Sequence, residues 1–210
     1  MLFRSFIALL VTIAAGLVVS GNAKAAADEP ACGMLPPKTA ELDPFAGFGV
    51  CGLKDARLQP LWKGLKSDKL QQQSRFTFVD GHGRWLWTIR IDERVNGKGR
   101  AEVTRIGYPT RSRRRMEIKR HWHRNISKED MQRFNALTQE SQVWQFENGT
   151  WDDQEAMYLH CASLKMESVT QAGFRFSYVN IGCNRPEKLK ATLEHVLDVS
   201  GLRWKTIFSN

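Results

Sequence analysis

Two cysteines, Cys161 and Cys183, close the outer ends of two neighbouring alternating runs, and this spacing constrains the fold more than any other feature. The runs, 161–168 and 174–183, are separated by Val169-Thr170-Gln171-Ala172-Gly173. A three-residue loop Gln171-Ala172-Gly173 puts glycine third, where a left-handed residue closes a bulged turn. Facing residues then have numbers that add to 344, which sets position 170 against 174 and Cys161 against Cys183. Turn chemistry and cysteine spacing agree on one register. The sequence therefore predicts a β-hairpin stapled by a Cys161–Cys183 disulfide.

Disulfides need an oxidising compartment, and the N-terminus supplies a route to one. Residues 1–25 read as a cleaved signal peptide: Arg4 gives a positive start, 7–19 is an apolar run, and Ala23-Lys24-Ala25 is a small-x-small cleavage site. The apolar run falls short of the roughly 20 residues that span a bilayer, so a periplasmic or extracellular product is expected. All four cysteines lie beyond residue 25, and an even count in an exported chain predicts two disulfides. With the hairpin pair assigned, Cys32–Cys51 is the other. No CxxC or metal-ligand spacing links the four, so neither zinc nor redox chemistry is expected of them.

Residues 26–54 hold Pro30, Pro36, Pro37 and Pro44 with several glycines and no sustained period. They read as an irregular arm pinned by Cys32–Cys51. Residues 55–210 read as a single α+β domain. Leu58, Leu61, Trp62 and Leu65 have helical spacing around Pro60 and suggest a short helix. A β-meander follows. Phe76 and Phe78 alternate before Asp80-Gly81-His82-Gly83, and Trp85, Trp87, Ile89 and Ile91 alternate after it. A four-residue loop sets Phe78 opposite Trp85 and Phe76 opposite Trp87. This aromatic face suits burial under helices better than sugar stacking, because Ile89 and Ile91 continue the stripe. At the next turn a two-residue loop would oppose Ile91 to Glu102. An odd loop such as Asn96-Gly97-Lys98 opposes it to Val103, so parity favours the odd loop. A fourth strand, 116–122, places Met116, Ile118 and Trp122 on one face.

Ser127 and Asp130 have capping-box spacing, with Ile126 and Met131 placed as a hydrophobic staple. The helix they open turns Met131, Phe134, Leu137 and Ser141 inward and ends before Trp144. Pro186 opens a last helix with Leu189, Leu193, Val196 and Leu197 inward, and Gly201 stops it. The expected architecture is a four-strand antiparallel meander plus the stapled hairpin, with two main helices on one face of the sheet.

Charge is distributed unevenly. Without residues 1–25 the chain carries 29 basic and 22 acidic side chains. Arg111, Arg113, Arg114, Arg115, Lys119, Arg120 and Arg124 stand against only Glu117 in one short stretch, at the joint of the third and fourth strands. Such a tip is a candidate site for an anionic polymer, an anionic lipid surface or an acidic protein, or else a solvated turn. Export argues against a nucleic-acid partner. His121-Trp122-His123 puts two imidazoles on one strand face, but a third metal ligand would have to come from His82, His160 or Asp152, among many cations. No metal and no cofactor is expected. His82 and His195 read as surface residues. No nucleophile elbow, phosphate loop or HExxH pattern occurs, and no catalytic residue can be nominated. The favoured reading is an exported, non-enzymatic binding domain. The alternatives are an extracytoplasmic hydrolase using histidine and carboxylate groups, and a structural envelope protein.

Overall fold

The computed structural model describes residues 30–37, 39, 49–109, 115–144, 161–182 and 186–208. The signal-like segment, the arginines at 111, 113 and 114, and Cys183 lie outside the described residues. Six strands form one antiparallel sheet: β1 (Leu70–Val79), β2 (Trp85–Arg94), β3 (Gly99–Gly107), β4 (Glu117–Ile126), β5 (Ser163–Thr170) and β6 (Gly173–Asn180). Their order across the sheet is β4-β3-β2-β1-β5-β6. The short helix α1 (Cys51–Asp55) precedes the sheet; α2 (Lys128–Glu140), α3 (Glu187–Ser200) and α4 (Trp204–Phe208) complete the fold. The α+β class, the meander plus hairpin, and the two main helices packed on one sheet face are as expected.

The helix-side core gathers Phe76, Phe78, Trp87, Ile89, Ile91 and Val103 from the meander, and Leu164, Met166 and Val179 from the hairpin. Met131 and Phe134 of α2, and Leu189, Leu193 and Val196 of α3, close over them. Thus the aromatic stripe is buried, with Trp87 at 2% exposure, except that Trp85 at its end is only partly buried. The α2 cap is the expected one: Ser127 Oγ accepts from the Asp130 N–H at 3.0 Å. Thr138, rather than Leu137, takes the inward position one turn beyond Phe134. Gly201 ends α3 at φ 74°, a left-handed cap. His195, expected at the surface, is 9% exposed and its Nε2 lies 2.9 Å from the Asp130 carbonyl, joining α3 to α2.

The expected arm is less irregular than its prolines suggest. It contains a 3-10 turn at Pro30–Gly33 and α1, bound together by the Cys32–Cys51 disulfide. Met34, Leu35, Val50 and Leu53 pack on Val79, Leu86, Ile106, Met116 and Phe176, a second core on the sheet's other face. The helix expected around Pro60 is reduced to a 3-10 turn at Leu61–Lys63.

Registers depart from the expected ones in an instructive way. Phe78 faces Trp87 and Phe76 faces Ile89, two positions from the expected partners. Ile91 faces Ala101, again two positions away, because the odd loop is Val95-Asn96-Gly97 and begins one residue earlier than expected. A slip of two keeps each side chain on its face; a slip of one exchanges the faces. The hairpin slipped by one. Gly173 pairs with Thr170, so the loop is Gln171-Ala172 and facing numbers add to 343, not 344. Phe174 and Phe176 thereby turn to the second core while Leu164 and Val179 stay in the first. At the far end the Ala162 carbonyl accepts from both the Ile181 and Gly182 N–H groups, at 2.9 and 3.0 Å. This bulge absorbs one residue, and a Cβ on Gly182 would stand 2.6 Å from the Ala162 nitrogen. Cys161 is disulfide-bonded.

A further bulge falls in β4. Arg105 pairs with Arg120 but Ile106 pairs with Ile118, leaving Lys119 between them. The expectation that Met116, Ile118 and Trp122 share a face is overturned for this reason. Trp122 joins the helix-side core, Met116 the second core, and Ile118 stands 46% exposed.

Candidate functional site

β4 is an end strand of the sheet, and eight of its ten residues are exposed. Of the nominated cations, Arg115, Lys119, Arg120 and Arg124 are described, and all four are exposed. The base of the tip is tied down where the Met116 N–H donates to Asp55 Oδ2 at 3.1 Å. The middle of β4 is braced from the helix side. Trp122 Nε1 donates to the Ser200 carbonyl at 3.1 Å, and Arg124 reaches the Asp198 carbonyl at 3.4 Å. Arg105, the cross-strand neighbour of Arg120, lies over the Trp87 ring at 5.6 Å. Lys119 forms an ion pair with Glu117. Cations thus line an edge that the hydrophobic core holds in shape.

His121 and His123 face the opposite side of the sheet, across from Thr104 and Glu102 respectively. His121 Nδ1 lies 3.0 Å from Thr104 Oγ1, and its Nε2 lies 3.8 Å from Glu102 Oε1. These residues border a small shallow cleft lined by Leu58, Gln59, Arg75, Thr88, Arg90 and Glu102, with Thr104. Arg90 holds Glu102 and, at 3.0 Å, Asp92, which in turn accepts from Gln73 at 2.9 Å. Beneath them Arg75 grips Glu167 through two bonds of 2.6 Å and donates to the Gln59 carbonyl at 2.9 Å. Burial, and then the positive charge of Arg90, lowers the pKa of Lys66 below the ordinary lysine value.

Histidine and carboxylate therefore meet in a concave place, as hydrolytic chemistry would require. Yet Glu102 is already committed to a guanidinium, and every arginine of the cleft has a carboxylate partner. Such a balanced network holds the strands and the segment at Gln59 together better than it moves protons. Among the described residues no group of three or more His, Cys, Asp or Glu could hold a metal ion, and no helix is long and apolar enough to cross a membrane. The paired groups of the cleft were not legible as a cluster in the sequence. Arg75 and Glu167 alternate with apolar residues in their own strands, but only the β1–β5 pairing places them side by side. No protein-family model matches the chain, and no curated protein matches it in sequence.

Proposed function

We propose that this protein is an exported, non-enzymatic binding domain that holds an anionic partner on the basic β3–β4 tip and the adjoining strand β4. The observation that carries this reading is the placement of Lys119, Arg120 and Arg124 on an end strand braced from behind, with Arg115 just before it, all four exposed. Cations on such an edge can meet a polyanion with little reorganisation, and each contact releases counterions. Export is supported by the signal-like residues 1–25 and by the Cys32–Cys51 disulfide, which belongs in an oxidising compartment.

Salt titration tests the reading. Binding to heparin, or to vesicles containing an anionic lipid, should fall steeply between about 50 and 200 mM salt. The triple variant Arg113→Ser, Arg114→Ser, Arg115→Ser should lower the slope of log affinity against log salt by roughly two to three units. Its thermal stability should stay near that of the parent, because exposed charges add little to folding. An unchanged slope would reduce the tip to a solvated turn.

A further inference from the structure

We propose that β4 accepts an extended acidic segment of a partner polypeptide as an additional strand of the sheet. This rests on the anionic-partner reading and narrows it to one class of macromolecule. β4 bonds to β3 on one side, and among the described residues no strand pairs with its other side. A strand edge leaves N–H and C=O groups that water or another strand must satisfy. Past the bulge at Lys119, the run Arg120–Ile126 pairs with β3 without interruption. It offers a regular edge about 20 Å long, enough for a short incoming strand.

Charge decides which strand fits. Arg120 and Arg124 project on the helix side, and His121 and His123 on the other, with no acidic residue between positions 118 and 128. If two copies paired antiparallel about Trp122, Arg120 would stand opposite Arg124. Like charges directly opposed are destabilising, whereas Glu or Asp opposite arginine is favourable. Self-association is thus discouraged and an acidic strand preferred. The bonds from Trp122 and Arg124 to the end of α3 hold this edge before any partner arrives, so less ordering is needed on binding. The competing account is that the cations serve only to keep edges of different molecules apart.

Synthetic peptides of alternating Glu and Val separate these possibilities, with the full exported chain as receptor. Two versions carry backbone N-methyl groups at even or at odd positions, so that each blocks one edge of the peptide. Strand addition predicts that the parent peptide binds and slows amide exchange along 120–125. One N-methylated version should lose at least tenfold in affinity while the other keeps it, and Arg120→Glu should weaken the parent peptide at least fivefold. Equal binding of both methylated versions, with heparin binding intact, would overturn strand addition and leave the polyanion reading standing. Loss of both heparin and peptide binding would overturn the two together. Exchange slowed elsewhere than in β4 would also overturn the proposal.

Discussion

Replacing Glu167 by Gln should be among the most damaging conservative changes in this protein. Arg75 and Glu167 are cross-strand neighbours in β1 and β5, with side chains 3% and 1% exposed. Two of the guanidinium nitrogens donate to the carboxylate and a third atom, Nη1, to the Gln59 carbonyl. The glutamine amide cannot accept both bonds from arginine, and it leaves a cation buried without its counter-charge. Breaking one side of such a pair costs about 3–5 kcal/mol. In a domain of this size each kcal/mol moves the melting temperature by about 2–4 °C, so a loss of roughly 6–20 °C is expected. Removing both charges with apolar residues of similar length behaves differently, because neither ion is then stranded. The double variant Arg75→Met, Glu167→Leu should cost under about 2 kcal/mol, and Arg75→Met alone should cost more than the double. Urea unfolding followed by tryptophan fluorescence on all four members of the cycle measures the coupling. Single-variant losses below about 1 kcal/mol, or additive losses, would refute the argument and mean that water reaches the pair.

The remaining predictions concern the core, the cap and one buried acid. Trp87→Ala removes a ring that packs edge-on against Trp122 at 5.9 Å; it should cost about 3–5 kcal/mol in the same assay. A loss under about 1 kcal/mol would restore the sugar-stacking alternative. Ser127→Ala removes the α2 cap and should cost about 1 kcal/mol, with Ser127→Asp restoring most of it. Burial raises the pKa of Glu93, opposed by the hydrogen bond from Asn135. The folded protein therefore holds that proton more tightly than the unfolded chain, and this contribution to stability is full at low pH and lost as pH rises through the folded pKa. Glu93→Gln cannot lose it, so the stability difference should move in the variant's favour from pH 4 to pH 7. A difference moving the other way would show that the carboxylate, not the acid, is the form the fold prefers.

Short-range chemistry in this chain was readable because each signal is complete within a few residues. Ser127 and Asp130 form a cap whatever lies elsewhere, Gly201 alone tolerates its left-handed backbone, and the alternation of Phe76, Phe78, Trp87, Ile89 and Ile91 assigns faces without a register. The α+β class followed from periods of the same local kind, whereas the Cys32–Cys51 link followed by elimination once Cys161 and Cys183 were paired. Parity, which settles which face is apolar, survived in the meander even where pairing moved by two. Registers themselves were not local. The hairpin gave up its expected three-residue loop because Phe174 and Phe176 had to reach a second core built by the arm, and the bulge at Ala162 then took back the lost residue. The β4 bulge at Lys119 likewise has no sequence mark, and it separates Met116 from Trp122 by sending them to opposite layers. Composition placed cations between 111 and 124. Only the strand order put Lys119, Arg120 and Arg124 on an end strand, and only the β1–β5 pairing brought Arg75 to Glu167, because side chains far apart in the chain become neighbours through backbone pairing alone.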